Sequence, residues 1–515
     1  MKTIISKSFL KRIALALSFL ITTSVISQTI TINPGVSYQS VTFGGDAKLT
    51  INRYAKGKTN SVSHKLFDEM KLKILRVPIF ALQNINSPIY DDVIKVIKSV
   101  KAENRNVKIF ASIANGDGYG TDYHGASKFP ASWRGCCAYN VYSLNLTTYA
   151  AYLDRFMSKM KNAGITIDYL GPWNEDRADD SDHRKVFNQM KNLGSTKKVG
   201  LERWGLLTSI SDVNDVEDRT DIIGSHFYDD IRISESNWDA KWSSLVSASA
   251  DPVWYTEATR YKTNDNINNL VAGMDNIFPA IRGGAEAVIF YQACNRIVYA
   301  NGGVPLIKYS GFKNIVNNAW GKVVNSYDND SEIKVVTFGN NSRINVHILN
   351  TGTRNKSVAI NLTNGYSAKG TVRRKIWTSS KTGATNSYNL NGNKKWNVTV
   401  NANSYSHLSI PLNKAVSRKI SDNQLVSNDD FSTEFLGEFK VIPNPSNGNF
   451  QLNLPNDNNS EKITITLFSV DGRKMFSEVR NYENNISLNK NLPSGMYLVS
   501  ASSGNTVYKD IIIIQ

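Results

Sequence analysis

The chain has 515 residues, a formal net charge of +16 and 41% hydrophobic residues. This length is too great for one ordinary hydrophobic core, so we predict two or three domains. Lysine and arginine are scattered along the chain rather than gathered in blocks, which does not support nucleic-acid binding. The charge is typical of a basic surface, and an anionic polysaccharide substrate stays open.

The first 27 residues have the pattern of a secretory signal peptide. Four basic residues up to Arg12 precede the apolar run IALALSFLITTSVIS, which ends in small residues. That run is short for a membrane span, so we predict cleavage near Ser27 and passage through the periplasm. No later stretch approaches the length of a transmembrane helix, so no stable membrane span is expected.

Cysteine and histidine give no sign of a metal centre. Cys136 and Cys137 are adjacent, and at most one of them can pair with Cys294. The six histidines form no His-x-His or His-x-x-x-His pair. We therefore predict no metal and no cofactor.

Residues 41–310 alternate between short apolar strands and amphipathic helices. Eight segments have strand character: VTFGGDAKLT, LKILRVPIF, VKIFASIA, IDYLGPWNE, KVGLERWGLL, DIIGSHFYD, PVWYTEATR and AEAVIFYQACN. Eight βα units over about 260 residues predict a (β/α)₈ TIM barrel, an α/β fold. A doubly wound open sheet is the alternative, but no glycine-rich phosphate turn supports it.

The pattern becomes all-β after the barrel. Residues 311–415 contain alternating strands separated by Asn, Gly and Ser turns, which predict an accessory antiparallel β-sandwich that residues 28–40 join as an N-terminal strand. Residues 416–436 are polar and unperiodic and are predicted to be a linker. Residues 437–515 are predicted to form a separate small all-β domain.

Chemistry in a barrel lies at the C-terminal ends of the strands. Those ends carry Arg76, Glu175, His226 with Tyr228, Glu257, and the cluster Phe290-Tyr291-Gln292. Glu175 ends the fourth strand and Glu257 the seventh, so their carboxylates are predicted to face each other across the barrel mouth. Such a pair is the arrangement that glycoside hydrolysis requires.

Aromatic and acidic residues surround this predicted pair. Trp133, Trp173 and Trp254 are predicted to lie near the same mouth, where aromatic faces suit the apolar faces of sugar rings. The acidic run from Asp176 to Asp182 lacks the spacing and the glycine of an EF-hand loop, and we interpret it as a solvated loop.

Residues 36–412 resemble glycoside hydrolase family 30, within the larger clan of retaining barrel hydrolases. The segments that carry the resemblance are YQSVTFGGDAKL, LKILRVPI, IFASIANGDG, KFPASWRG, PWNED, GLERWG, SHFYDD and WYTEA. The resemblance implies that Glu175 is the acid/base and Glu257 the nucleophile of a double displacement with retained configuration. Such a mechanism predicts carboxylates about 5–5.5 Å apart and a raised pKa for Glu175, because Glu257 is a nearby anion.

The resemblance also implies a set of substrate-binding and supporting residues. Arg76 would hold the nucleophile, Asn174 would contact the sugar 2-hydroxyl, and Trp133 would line the donor subsite. His226 or Tyr228 would orient the nucleophile. The chain departs from the family where Asp176 replaces the usual proline after the acid/base, and where WYTE replaces the usual strand-seven motif.

Residues 437–515 resemble the C-terminal sorting domain of type IX secretion substrates. The resemblance rests on VIPNPSNGNFQLNL, ITLFSVDGRKM, NLPSGMYLVSASSG and YKDIIIIQ. It implies the type IX secretion machinery as a partner and a location outside the cell or on its surface. A small adhesive or sugar-binding β-module is the alternative.

The sequence thus predicts a secreted, monomeric, retaining endo-β-glycoside hydrolase that degrades a polysaccharide, of the xylanase, glucanase or galactanase type. The alternatives are a non-catalytic carbohydrate-binding or adhesive surface protein and an agarase- or porphyranase-like hydrolase of the same clan. A lyase barrel, hinted at by His226 and Tyr228, is a weaker alternative. Arg260 and Lys262 either meet an anionic sugar or are loop-surface charges.

Overall fold

The structure is a computed structural model. It describes residues 28–135, 144–176, 180–414, 439–444, 446–454, 462–469, 474–493, 495–503 and 506–514. The predicted signal peptide and linker lie outside these ranges. The described residues belong to two compact units, one containing those up to 414 and the other those from 439.

The first unit begins with β1 (Gln28–Ser37), which precedes a closed barrel of eight parallel strands. The barrel strands are β2 (Thr42–Asp46), β3 (Ile74–Ile79), β4 (Lys108–Ile113), β5 (Tyr169–Gly171), β6 (Lys197–Arg203), β7 (Ile222–His226), β8 (Val253–Ala258) and β9 (Ala287–Phe290). The last strand pairs with the first, Ala287 opposite Thr42, which closes the sheet. The predicted TIM barrel is confirmed, and the open doubly wound sheet is excluded.

Helices surround the barrel and connect its strands. They are α1 (Ile51–Lys56), α2 (Thr59–Ser63), α3 (Ile89–Glu103), α4 (Leu146–Asn162), α5 (Asp180–Gln189), α6 (Leu206–Asp212), α7 (Trp238–Ala248), α8 (Ile267–Arg282), α9 (Ala293–Arg296) and α10 (Leu306–Asn318). A π-helical turn, His64–Glu69, continues α2. Short 3₁₀ turns occur at Lys48–Thr50, Gly125–Lys128, Ala131–Trp133, Val213–Asp215, Glu217–Arg219, Tyr228–Arg232 and Glu235–Asn237.

Local sequence explains why these segments take these forms. Every residue of β3 and β8 is buried, as expected for parallel strands covered on both faces. Apolar residues of α3 recur at helical spacing and are buried on one face. Asn145 and Asn266 cap α4 and α8, because each side chain accepts a backbone N–H three residues ahead.

The accessory domain is one curled ten-stranded sheet. Its strands are β1, β10 (Lys322–Asp328), β11 (Ile333–Asn340), β12 (Arg343–Asn350), β13 (Lys356–Leu362), β14 (Tyr366–Ala368), β15 (Thr371–Trp377), β16 (Thr382–Asn389), β17 (Lys395–Val400) and β18 (Ser404–Lys414). The strand order is β16-β15-β18-β12-β11-β10-β1-β13-β17, with β14 added on β18. The curled sheet encloses its own apolar core, as the two layers of the predicted sandwich would.

The N-terminal strand β1 joins the two halves of this sheet. It pairs antiparallel with β10 and parallel with β13. Ile30 and Ile32 on one face of β1 are fully buried in the sheet core, whereas Thr31 faces the other side. The predicted boundary at residue 310 falls inside α10, and the first strand that follows it begins at Lys322.

The second unit is all β, as predicted. It contains β19 (Lys440–Ile442), β20 (Asn449–Asn453), β21 (Lys462–Ser469), β22 (Lys474–Asn481), β23 (Asn485–Asn489), β24 (Gly495–Ser503) and β25 (Thr506–Ile514). These strands form two sheets, β19-β20-β23 and β22-β21-β24-β25, which share one apolar core.

Two further sequence predictions concern membranes and cysteines. In the described part of the chain, no helix has both the length and the apolar character needed to cross a membrane. Cys294 is buried and unbridged, while Cys136 and Cys137 lie outside the described residues.

The buried face of β1 gives a stability prediction for the first unit. We expect Ile30→Ala to lower its free energy of unfolding by about 2–5 kcal/mol, because it leaves a cavity where β10, β1 and β13 meet. Thr31→Ala, on the opposite face of the same strand, is the matched control and should change it by less than about 1 kcal/mol. All nine tryptophans lie in the first unit, so tryptophan fluorescence during urea unfolding reports on that unit alone. Equal destabilisation by both variants would contradict the role given to Ile30.

Candidate active site

Two carboxylates meet at the C-terminal mouth of the barrel. Glu175 follows β5, and Glu257 lies near the end of β8. Both line one cavity, together with Lys48, Leu49, Asn115, Asp122, His124, Asn174, Trp204, Tyr228 and Tyr291. A carboxylate oxygen of Glu175 lies within 4.8 Å of one of Glu257. This is close to the separation of about 5–5.5 Å in retaining glycosidases and well below the 6.5–9.5 Å of inverting ones.

The two oxygens of Glu257 have different partners. Oε1 accepts a hydrogen bond from Arg76 Nη1 at 2.5 Å and lies 2.9 Å from Lys48 Nζ. Oε2 accepts a hydrogen bond from the Tyr228 hydroxyl at 2.9 Å and lies 3.7 Å from His226 Nδ1. Burial raises the pKa of Glu257, but His226, Lys48 and Arg76 together lower it well below its ordinary value. Glu257 is therefore held as an anion.

Arg76 is the centre of the buried polar network beneath the cleft. Its guanidinium donates to Asp46, Glu202 and Glu257, and also to Asn174 Oδ1 at 2.9 Å. The side chain is 0% exposed. A buried guanidinium surrounded by three carboxylates and an amide has its donors fixed in direction, so it fixes the positions of its acceptors.

Glu175 is the more exposed carboxylate and is held by an amide and an imidazole. Its Oε2 accepts a hydrogen bond from Asn115 Nδ2 at 2.7 Å, and its Oε1 lies 3.2 Å from His226 Nδ1. Burial raises the pKa of Glu175, but the hydrogen bond and charge of His226 lower it. The net pKa is below its ordinary value. The predicted rise was wrong, because the hydrogen bond and charge of His226 lower the pKa of Glu175 by more than burial and the Glu257 carboxylate raise it.

The residue that departs from the family pattern has a buried partner. Asp176 Oδ2 lies 2.7 Å from Lys128 Nζ and accepts the backbone N–H of Asn174 at 3.1 Å. The same Lys128 amine donates to the Asn174 carbonyl at 2.6 Å and to Asn115 Oδ1 at 3.0 Å. Through its ion pair with Lys128 and its hydrogen bond with Asn174, Asp176 stabilises the conformation of the segment that carries Glu175. Its interpretation as a solvated residue was wrong, and Asp182 is buried as well.

A left-handed bulge in β6 supports both Arg76 and Glu175. Leu201 and Glu202 have φ of +62° and +48°, and the register with β7 shifts there. The bulge points the Glu202 carboxylate at Arg76, and the Glu202 carbonyl accepts the N–H of Glu175 at 2.8 Å. Glu175 itself has φ of +61°.

Two glycines make room for the Glu202 side chain. A Cβ on Gly171 would lie 2.5 Å from Glu202 Oε2, and one on Gly224 would lie 2.8 Å from its Cγ. Both distances are shorter than any normal contact, so the barrel needs glycine at these positions to hold a carboxylate between β5 and β7.

The structure assigns different positions to the residues predicted from sequence. Asn174 and Tyr228 line the cleft beside the two glutamates. Arg76 and His226 are fully buried beneath the carboxylates, where Arg76 contacts Glu257 and His226 lies beside both glutamates. Trp133 is not among the residues that line the cleft and packs on Tyr152, with ring centroids 5.2 Å apart.

The other two predicted tryptophans do not reach the cleft surface. Trp173 is a core residue, 1% exposed. Trp254 lies at the start of β8 and packs on Tyr169 at the opposite end of the barrel, with ring centroids 4.8 Å apart. Trp204, which is 41% exposed, takes the place predicted for them, stacked on Tyr228 with ring centroids 5.8 Å apart.

The sequence predictions did not include several residues of the site, among them Lys48, Asn115, Lys128, Glu202 and Trp204. Lys48 and Asn115 follow β2 and β4, so an inspection of all eight strand ends would have included them. Trp204 follows β6 in the same way. Lys128 lies in the long loop after β4, and nothing in the sequence marks it as a partner of Asp176.

Glu175, His226 and Glu257 also have the spacing of metal ligands, since their ligand atoms lie within 4.8 Å of one another. Glu257 already faces two buried cations, Lys48 and Arg76. A further cation between these side chains would be repelled, so the donor set does not fit a metal ion.

Comparison with known families identifies the second unit. Residues 440–515 match the secretion system C-terminal sorting domain. This match confirms the predicted type IX sorting domain, so the protein is exported to the cell surface or beyond. Among curated protein sequences the chain finds no match.

Comparison with solved structures concerns the first unit. The chain is similar to a family 30 endoxylanase from Clostridium papyrosolvens C71, with a TM-score of 0.57 and 19% identity, covering 74% of this chain and 100% of that one. It is also similar to a family 30 subfamily 8 xylanase from Clostridium acetobutylicum, with a TM-score of 0.57 and 17% identity, over 74% of this chain and 99% of that one. The endo-β-1,6-glucanase BT3312 matches with a TM-score of 0.50 and 14% identity, over 74% and 94%. These similarities confirm the predicted fold.

The space that Gly171 leaves for the Glu202 side chain gives a prediction about stability and turnover. We expect Gly171→Ala to displace Glu202 from Arg76, because the new methyl group would overlap the Glu202 carboxylate. The free energy of unfolding should fall by about 1–3 kcal/mol, and any turnover by about 10²-fold. Gly35→Ala is the control, because the nearest atom to its Cβ is Asn33 Oδ1 at 3.3 Å. Urea unfolding and the activity assay described below measure the two effects. Normal stability and turnover in Gly171→Ala would show that Glu202 does not need this space.

Proposed function

We propose that the protein is a secreted endo-acting β-glycoside hydrolase that cleaves a polysaccharide by double displacement with retention of configuration. The observation that carries the proposal is the short separation of Glu175 and Glu257, together with their unequal surroundings. Glu257 has cations and a hydroxyl on its oxygens and is held as an anion. Glu175 lies at the cleft surface beside an amide and an imidazole, where a proton can be exchanged.

In the first half-reaction, Glu257 is the nucleophile. Arg76 and Lys48 occupy Oε1, so Oε2 is the oxygen that faces the anomeric carbon. Oε2 forms the bond to that carbon while the bond to the leaving oxygen breaks. Glu175, which first takes up a proton from solvent because its pKa in the free protein is below the ordinary value, gives that proton to the leaving oxygen, and the product is a covalent glycosyl-enzyme.

In the second half-reaction, Glu175 changes from acid to base. As an anion hydrogen-bonded to Asn115 and His226, it takes a proton from water while the water oxygen attacks the anomeric carbon. The bond to Oε2 breaks, and Glu257 returns to its carboxylate form. Burial and the two neighbouring carboxylates raise the pKa of Tyr228 far above its ordinary value, so its hydroxyl remains a donor throughout.

Neighbouring groups support a role for Asn174 in binding. Its Oδ1 already accepts from Lys48 and Arg76, which leaves Nδ2 as the group able to donate to a sugar hydroxyl. Trp204, 41% exposed, lines the same cleft, with Tyr228 stacked on its ring and the Arg232 guanidinium 5.5 Å from the ring centroid. The exposed part of this ring is a candidate contact for the apolar face of a sugar.

The charge of the cleft favours a neutral polymer. The described side chains that line it include one formal cation, Lys48, and three carboxylates, Asp122, Glu175 and Glu257. Arg260 does not supply a free positive charge, because its guanidinium pairs with Asp230 and lies over the Trp238 ring. Xylan and β-glucan, the substrate types named for the similar structures, are therefore the first candidates. Neutral agarose is the candidate if the agarase-like alternative holds.

The proposed mechanism gives a prediction about the reaction class. We expect the full-length protein to release reducing ends from one polymer of a panel of xylan, β-1,3-glucan, β-1,6-glucan, β-1,4-galactan, agarose and porphyran. Glu175→Gln and Glu257→Gln should each reduce turnover by at least about 10³-fold, because each removes a group that takes part in both half-reactions. Retention of configuration is checked by NMR of the first product formed.

A non-catalytic surface protein would give a different result in the same panel. No polymer would release reducing ends with the wild-type protein, while one of them would still be retained in pull-down by wild-type and Glu257→Gln protein alike. That outcome would replace the hydrolase proposal with the carbohydrate-binding one.

The position of Trp204 gives a prediction about substrate binding. We expect Trp204→Ala to raise KM by about tenfold with a smaller change in kcat, because a stacking platform binds the ground state and the transition state alike. Trp320→Ala is the control, since Trp320 is similarly exposed at 38% but lies just before β10 and does not line the cleft. If kcat falls as much as KM rises, Trp204 acts by holding Tyr228 rather than by binding sugar.

A further inference from the structure

Lys48 is a buried cation at the nucleophile, and the positioning of Glu257 does not explain why it is there. It begins the 3₁₀ turn directly after β2, and its side chain is 2% exposed. Its amine lies 2.9 Å from Glu257 Oε1 and donates to Asn174 Oδ1 at 2.5 Å and, more weakly, to the Ile113 carbonyl at 3.4 Å. Burying a second cation beside Arg76 is unfavourable in itself. A structural role alone does not explain it, since Arg76 already contacts the same oxygen.

The charges of Arg76 and Lys48 are used differently. Arg76 faces three carboxylates, those of Asp46, Glu202 and Glu257. Among the described residues, Glu257 supplies the only carboxylate within ion-pair distance of Lys48. The direct ion-pair contact of Lys48 is therefore with the nucleophile, although its charge also lowers the pKa of Asp46 and Glu175, whereas Arg76 makes direct contacts with three carboxylates.

Both cations lie on Oε1, and neither lies on Oε2. The two oxygens of Glu257 are thus chemically distinct before any substrate binds. Oε1 has two ionic partners, and Oε2 has one hydroxyl donor, Tyr228, with the His226 Nδ1 atom 3.7 Å away. Bond formation at Oε2 leaves Oε1 as the carbonyl oxygen of the glycosyl ester, with Lys48 and Arg76 still beside it.

We propose that Lys48 is a catalytic residue for the second half-reaction, where it accelerates hydrolysis of the glycosyl-enzyme by stabilising the carboxylate that departs. This inference rests on the proposed double displacement. When the bond between the anomeric carbon and Oε2 breaks, its electron pair returns to the carboxylate. The negative charge then spreads to Oε1, where Lys48 stands 2.9 Å away.

The same contact acts in the opposite direction in the first half-reaction. There the carboxylate loses negative charge as Oε2 attacks, so a cation on Oε1 stabilises the starting state more than the transition state. Lys48 therefore slows formation of the glycosyl-enzyme and speeds its breakdown. This opposite effect on the two steps separates a catalytic Lys48 from a merely structural one.

The test is Lys48→Met in the full-length protein, with the panel polymer that the wild-type protein hydrolyses as the substrate. Methionine has nearly the same length and no charge. We expect kcat to fall by at least about tenfold through slow deglycosylation. KM should fall with it, so that kcat/KM, which reports the first half-reaction, changes by much less. Intact-protein mass spectrometry of the acid-quenched reaction should show the variant, but not the wild type, carrying a covalently bound oligosaccharide.

A pH profile gives an independent readout. The acid limb of kcat/KM reports ionisation of Glu257 in the free protein. Removal of the Lys48 charge should raise the pKa of Glu257, so this limb should move to higher pH in Lys48→Met. Lys48→Gln, which keeps a donor but removes the charge, should shift it in the same direction and serves if the methionine variant does not fold.

Lys313→Met controls for the loss of a lysine. Lys313 is partly exposed on α10 and pairs with Glu69, away from the cleft, so its kinetics should match the wild type. Equal losses in kcat and kcat/KM, no trapped intermediate and an unmoved acid limb in both Lys48 variants would overturn the proposal for Lys48 alone. A wild-type protein that hydrolyses nothing, or inverts configuration, would instead overturn the proposed function on which it rests.

Discussion

The buried ion pair between Arg76 and Glu257 is the interaction on which the rest of the site depends. A charged pair inside a barrel is unfavourable unless further hydrogen bonds stabilise both charges. Here Asp46, Glu202, Asn174 and Ser112 accept from the same guanidinium, and Lys48 adds a second cation on Glu257. Removal of one member would leave another charge buried without its partner, so these residues form one network.

The network also accounts for unusual features of the backbone. The left-handed residues Leu201 and Glu202 and the glycines at 171 and 224 have no local benefit, since each weakens a strand. Together they let a carboxylate lie inside the barrel wall and reach Arg76. The strain is concentrated where the barrel holds its charged groups, as is common at functional sites.

The two glutamates differ because only Glu257 is in direct ionic contact with Arg76 and Lys48. Glu257 is surrounded by cations and stays an anion, while Glu175 is held by Asn115 and by the backbone of the β6 bulge. Burial raises the pKa of Asp46 to about 6, although Arg76 and Lys48 both lower it.

The two units have separate tasks. The sorting domain directs export, and the barrel carries the cleft, so the protein meets its substrate outside the cell. This location suits a hydrolase of polymers too large to be imported. The chain has a net charge of +16, but this positive charge does not extend into the cleft. Among the described side chains that line the cleft, three carboxylates outnumber the one lysine.

The sequence by itself was enough to predict the barrel, the accessory sheet, the sorting domain and the pair Glu175 and Glu257. Strand periodicity and the rule that chemistry follows strand ends depend only on local pattern, and both can be read along the chain. The partners of these glutamates could not be read in this way. Lys128 and Asp176 are 48 positions apart, and Glu202 reaches Arg76 only through a bulge and two glycines. The tertiary structure decided which tryptophan faces the cleft and which cation faces the nucleophile, because strand register and loop path set the direction of a side chain.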